Sequence, residues 1–207
     1  MTKDPIWISR KSDKNSADFW PTPEWVTKAL LDNEVLEGKV WEPACGDGAM
    51  ARVISDFGYD VYASDKEDRG YGEVKDFLSR LREYADCIVT NPPFNLAAGF
   101  VMEALSSAEC KVCMLLPLSF LEGAKRHDRL FSIYPPDRVW VFSERVTFTA
   151  PGVTRKVSGT RPMAWFVWDF NSRTSPQVTQ IKWLRGYKPV DRKRRKAHTD
   201  NVDKQEV

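Results

Sequence analysis

Short apolar strand signals and amphipathic helix signals alternate along this chain, and few folds accommodate that pattern. Lys39-Val40-Trp41-Glu42 reads as a strand running into Pro43-Ala44-Cys45-Gly46-Asp47-Gly48. Met50, Val53, Ile54 and Phe57 then recur at helical spacing until Gly58 stops them. Asp60 to Asp65 reads as a second strand and the short 73–76 as a third, followed by a helical face of Phe77, Leu78, Leu81 and Tyr84. Cys87-Ile88-Val89-Thr90 is a fourth strand, and Phe100, Val101, Ala104 and Leu105 form the next helical face. Residues 111–116 are almost wholly apolar, as in a strand covered on both sides. Two more strands, 138–142 and 163–168, have no helical pattern between them and suit an antiparallel edge pair. The expectation is an α/β fold with seven strands, mostly parallel. Upstream, Thr22-Pro23-Glu24 is a helix start, with Thr22 as cap and Pro23 at the first helical position.

In such folds ligands sit beyond the carboxyl ends of the strands. Three of those ends carry chemistry-bearing loops, at Gly46, Asp65 and Asn91, so they should converge on one crevice. Gly46 and Gly48 allow a tight turn and close approach of backbone to a ligand, ahead of a helix N-terminus. Asp65 lies 19 residues after Gly46, where a carboxylate can accept hydrogen bonds from two ribose hydroxyls. By itself this fits more than one cofactor, and Gly46 to Ala51 satisfies G-x-G-x-x-A, the fingerprint of a nicotinamide dinucleotide site.

Asn91-Pro92-Pro93-Phe94 separates them. A ring-conjugated exocyclic amine is a poor nucleophile. Acceptors around its hydrogens favour a pyramidal nitrogen with a free lone pair, and the Asn91 side-chain oxygen and the Pro92 carbonyl are two such acceptors. The prolines hold them in place, and Phe94 can stack on a planar target. A nicotinamide enzyme gives these four residues no role.

Glu42 to Gly48 resembles the first motif of class I S-adenosylmethionine-dependent methyltransferases. Asn91 to Phe94 resembles the catalytic motif of the members that methylate planar amines: adenine N6, cytosine N4 and the glutamine of release factors. Asn in first place is most similar to the adenine-N6 enzymes. Phe19-Trp20-Pro21-Thr22-Pro23 resembles the N-terminal motif that closes over the methionine part of the cofactor, and Asp76-Phe77 the motif that meets its adenine. The motif order resembles the gamma arrangement of DNA amino-methyltransferases. Residues 116–126 resemble small phage or prophage enzymes, a class that includes restriction-modification partners.

The resemblance implies a single Rossmann-like methyltransferase domain that transfers a methyl group to adenine N6 in DNA. It places Trp20, Thr22, Glu42, Pro43, Ala44, Gly46, Asp47, Gly48, Asp65, Asp76, Phe77 and Asn91 around S-adenosylmethionine. Asn91, Pro92, Pro93 and Phe94 would hold the target amine. RNA adenine or a protein glutamine is the alternative substrate. An inactive nucleic-acid-binding module is the non-enzymatic alternative.

The expected domain spans 19–181, after an irregular 1–18 and before a basic tail, 182–207. That leaves no room for a separate recognition domain, so short or relaxed sequence specificity is expected. Phosphate contacts fall to Arg145, Arg155, Lys156 and Arg161 in the 144–162 loop, and to Arg192, Lys193, Arg194 and Arg195 in the tail. Phe148 and Tyr134 read as core residues or as holders of an extruded base. The 31 Lys+Arg nearly balance the 29 Asp+Glu, but 182–196 holds eight basic residues and one acid, suiting either a polyanionic partner or a solubilising tail.

Cys110 and Cys113 form a lone C-x-x-C inside an apolar run, which reads as buried thiols rather than a metal site. No apolar run approaches the ~20 residues of a spanning helix, and no signal peptide opens the chain. A cytoplasmic protein without membrane association, either a monomer or a weak dimer, is expected.

Overall fold

A computed structural model of the protein describes residues 19–79, 83–149, 161–172 and 178–187. Helix α1 (Glu24–Leu31) precedes the first strand–helix unit, β1 (Lys39–Glu42), α2 (Ala49–Asp56) and β2 (Asp60–Asp65). Then follow β3 (Glu73–Val74), β4 (Ala85–Thr90), α3 (Ala97–Ser107) and β5 (Ala108–Pro117). The chain closes with β6 (Arg138–Phe142), β7 (Met163–Asp169) and β8 (Gln180–Leu184).

The strands form one sheet in the order β3-β2-β1-β4-β5-β7-β6-β8. All neighbours are parallel except that β7 runs antiparallel to both β5 and β6. Strand β1 lies between β2 and β4, so the chain winds outward to β3 and then crosses back. The crevice between the ends of β1 and β4 is therefore the switch point where α/β sheets bind ligands.

Apolar side chains cover both faces. On one, Trp25, Val26 and Leu30 of α1 pack with Met50, Val53 and Ile54 of α2. On the other, Phe100, Val101 and Ala104 of α3 pack with Ile88, Met114 and Phe166. The near-continuous apolar runs of β5 and β7 follow from this double coverage, since every residue from Lys111 to Pro117 and from Met163 to Asp169 is buried.

Three expectations are corrected. The sheet has eight strands rather than seven, and β8 lies outside β6, so the antiparallel pair is not at the edge. Its Ile181 and Trp183 are 54% and 63% exposed while Leu184 enters the core, a pattern too amphipathic to stand out beside basic neighbours. Lys182 is thus a strand residue paired with Trp140, and Tyr187 beyond it donates a hydrogen bond from its hydroxyl to Asp32 of the α1 end. Of the helix expected over Phe77, Leu78, Leu81 and Tyr84, Phe77–Ser79 is a 3-10 turn in which Phe77 is held edge-on by Trp41 and tilted against Phe100, Tyr84 is not helical, and Leu81 lies outside the described residues. Thr22 does not cap α1. Pro23 takes the cap position with extended backbone, and the Thr22 hydroxyl is used elsewhere.

At the amino end of the parallel strands, opposite the crevice, lies a buried cluster of two acids and two bases. Glu34 accepts hydrogen bonds from Arg138, from the Trp140 indole (2.8 Å) and from Lys111 (3.2 Å). Asp169 accepts from Arg138 (2.6 Å) and faces Lys111 at 3.2 Å. Balanced charge and near-complete hydrogen bonding make this burial tolerable.

Among the described residues no helix is long and apolar enough to cross a membrane. Cys113 is fully buried and burial pushes its thiol well up; among the same residues no group of His, Cys, Asp or Glu could hold a metal ion.

Candidate active site

The loop after β1 is built from backbone that only glycine adopts readily. Gly46 has φ 56° and Gly48, the cap of α2, has φ 81°. The Gly46 N–H donates to Asp65 Oδ2 at 2.9 Å, tying the ends of β1 and β2 together. Asp65 Oδ1 accepts the Glu67 N–H, and each carboxylate oxygen keeps a further lone pair for a ligand. Asp47 Oδ1 accepts the Ala49 N–H at the start of α2.

Two aromatic rings lie against the glycines. A Cβ on Gly46 would stand 2.1 Å from Phe19, and one on Gly48 2.5 Å from Tyr71. Arginines stack on both rings, Arg69 over Phe19 at 4.5 Å and Arg52 over Tyr71 at 4.6 Å. Tyr71, Arg52 and Arg69 escaped the sequence reading. The only signal was Tyr71 between Gly70 and Gly72, both at positive φ. Gly46→Ala is expected to lose more stability than Gly58→Ala in urea unfolding. Both glycines have positive φ, costing about 1–3 kcal/mol in backbone strain, but Gly58 faces open space and only Gly46 meets an aromatic ring. Equal losses would show that the Phe19 contact contributes nothing.

Four buried side-chain polar atoms lack a hydrogen-bond partner among the described residues: Thr27 Oγ1, Glu42 Oε2, Thr90 Oγ1 and Asn91 Oδ1. Three of the four gather at the ends of β1 and β4, on either side of the switch point. Leaving a buried acceptor unpaired costs about 1–3 kcal/mol, so such a concentration makes these strand ends the candidate site for a ligand. The Glu42 carboxyl is 2% exposed. Burial pushes its ionisation well up, the nearby Asp65 and Asp47 charges add to this, and a backbone hydrogen bond from Ala51 opposes it.

Asn91 is the first residue beyond β4. Its Nδ2 donates to Thr22 Oγ1 at 3.1 Å, which leaves Oδ1 as the buried, unpartnered acceptor. Pro92 is buried, and Pro93 and Phe94 are half-buried. The Pro93 carbonyl accepts the Leu96 N–H at 2.9 Å, closing a turn that leads into α3. Phe94 packs on the α1/α2 core face, which sets its ring.

The other expected residues are placed as follows. Pro43 is buried, Ala44 is half-buried and Trp20 is 38% exposed. Asp76 accepts the Leu78 N–H and pairs with Lys66 at 3.1 Å, and Phe77 is a core residue. Phe148 packs at the edge of the α1/α2 core, whereas Tyr134 is 38% exposed. Because β7 returns antiparallel to β6, the end of β6 and the start of β7 lie at the crevice end of the sheet, with the 143–162 connection between them in sequence. Arg145 and Arg161 sit on the described parts of that connection, both exposed. Arg155, Lys156, Arg192, Lys193, Arg194 and Arg195 lie outside the described residues.

No family model and no curated protein sequence matches the chain. Solved structures do. A Listeria monocytogenes protein described as a class I S-adenosylmethionine-dependent methyltransferase superposes with a TM-score of 0.58 at 14% identity, over 88% of this chain and 70% of its own. A Pyrococcus horikoshii protein described as an RNA methyltransferase gives 0.55 at 14% identity, over 78% and 93%. A modification subunit described for a type I restriction enzyme of Vibrio vulnificus gives 0.54 at 13% identity, over 94% of this chain and 55% of its own. The eight-stranded, mostly parallel sheet thus has the Rossmann-like α/β fold that these methyltransferase structures share.

Proposed function

We propose that the protein is an S-adenosylmethionine-dependent methyltransferase acting on the exocyclic N6 amine of adenine in DNA, with short or relaxed sequence specificity. The observation that carries this reading is the Asn91 amide, whose oxygen is buried and unpartnered at the switch point while its nitrogen is already bonded. A buried acceptor that no described residue satisfies suits a ligand that donates, and an adenine amine does.

The site's residues fit the cofactor. The glycine loop with its α2 N-terminus, the Asp65 carboxylate and the partnerless Glu42 oxygen supply donors and acceptors suited to its carboxylate, ribose hydroxyls and amino group. The bound cofactor supplies an electrophilic methyl group on a sulfonium sulfur. In this site Asn91 Oδ1 accepts one amine hydrogen and, with the Pro92 carbonyl, draws the nitrogen out of conjugation. Phe94 holds the base by stacking. The sulfonium would give up its methyl carbon to the nitrogen held by Asn91 and keep the electron pair of the broken S–C bond, and the methylated amine would release its proton to solvent. Positioning supplies the rate, and no nucleophilic side chain is needed. The basic 144–162 connection and the basic tail would bind phosphates around an extruded base.

The test is nucleoside mass spectrometry after incubating the protein and S-adenosylmethionine separately with duplex DNA, single-stranded DNA and RNA. N6-methyladenine in DNA is expected. Methylation confined to RNA would overturn the substrate, and no methylated base with cofactor bound would overturn the nucleic-acid reading. A long strict recognition site in methylated DNA would refute the specificity.

A further inference from the structure

Asn91 and Thr22 are 69 residues apart, yet they share a hydrogen bond at the centre of the crevice. Thr22 is 7% exposed and lies between Pro21 and Pro23, which restrict the backbone on both sides of it. The segment leads directly into α1, where the Val26 N–H closes on the Pro23 carbonyl at 2.9 Å. Helix α1 is in turn fastened to the sheet, because the fully buried Trp165 of β7 donates its indole N–H to the Val26 carbonyl at 3.0 Å. The Thr22 hydroxyl is thus carried on a rigid mount, and with no capping bond to make it is available to the Asn91 amide.

An asparagine amide has a donor end and an acceptor end, nearly equal in shape. Only the acceptor end serves a target amine, since an NH2 facing an amine opposes two donors. The bond to Thr22 engages the donor end and leaves the buried Oδ1 without a partner among the described residues. We infer that Thr22 is a positioning residue for methyl transfer, its hydroxyl holding the Asn91 amide so that Oδ1 is presented to the target amine. This rests on the amine-methylation reading above and adds to it a role for Thr22 separate from lining the cofactor pocket.

Three variants and two readouts test it. Thr22→Val keeps the shape and removes the acceptor; Thr22→Ser keeps the hydroxyl. Under saturating cofactor and DNA, Thr22→Val lowers kcat by about tenfold to a hundredfold, the scale of a misplaced catalytic group. Thr22→Ser restores most of the rate. In an Asn91→Ala background, Thr22→Val costs nothing further. The second readout needs no turnover: the side-chain amide resonances of Asn91, assigned by their loss in Asn91→Ala, move or broaden in Thr22→Val and return in Thr22→Ser. Loss of cofactor affinity with an unchanged saturated rate would make Thr22 a cofactor contact and overturn the inference, as would unmoved Asn91 resonances. If the wild-type protein methylates no adenine while its Asn91 resonances respond to Thr22, the function reading fails and the hydrogen-bond anchor stands without its catalytic role.

Discussion

Asn91→Ala is expected to lower the methyl-transfer rate by about 10²–10³-fold, the usual loss on removing one preorganised polar group from a transition state. S-adenosylmethionine affinity should change little, because the glycine loop and Asp65 make their bonds without Asn91. The loss belongs to kcat as well as to kcat/KM, since the Oδ1 bond strengthens only as the amine becomes pyramidal. Asn91→Asp is the informative companion. It keeps an oxygen acceptor but brings a charge into a half-buried position and cannot donate to Thr22, so it should recover only part of the rate. A kcat unchanged in Asn91→Ala under single-turnover conditions would remove the basis of the proposed mechanism.

Glu34→Gln is expected to destabilise the fold by about 3–5 kcal/mol, the cost of breaking a buried ion pair from one side. Lys111 and Arg138 would keep their positive charges with only Asp169 to offset them, and a glutamine NH2 would face donors on every side. Urea unfolding at neutral pH measures the loss. The pH dependence follows from the same groups. Burial raises the Glu34 and Asp169 ionisations, but Arg138, Lys111 and, for Glu34, the Trp140 indole outweigh it, so both carboxyls end below their ordinary values of 4.5 and 3.8. Their stabilisation is therefore complete above those values and is lost as pH falls through the lowered folded-state values. Wild type and Glu34→Gln should converge in stability on acidification. A gap of constant size down to strongly acidic pH would show that Glu34 acts by packing alone. The cluster lies at the far end of the sheet from the crevice, so cofactor affinity of the folded variant should be intact.

The two expected results draw on different levels of information. Asn91 stood out because its chemistry is local: four consecutive residues at a strand's end carry the amide, the rigid backbone and the ring. The glycine loop stood out for the same reason, as did six of the first seven strands, whose apolar runs need no distant partner to be recognised. The very short β3 falls within the expected 73–76 but spans only Glu73–Val74. Strand β8 was hidden because an edge strand buries only part of itself, and Ile181 and Trp183 alternating with Gln180 and Lys182 looked like the start of a basic tail.

Local sequence thus marked most of the strands and helices and the loops that follow the strand ends at the crevice, since hydrophobic periodicity and turn chemistry act over a few residues. Tertiary structure alone decided what each polar group is bonded to. Glu34, Lys111, Arg138 and Asp169 become one cluster only when β7 turns antiparallel between β5 and β6. The Thr22 hydroxyl, which local rules assign to a helix cap, goes to Asn91 because α1, fastened to β7 through Trp165, brings it there. A hydroxyl bonds whatever partner folding places within reach, and that partner is fixed by packing across the whole sheet rather than by its neighbours in the chain.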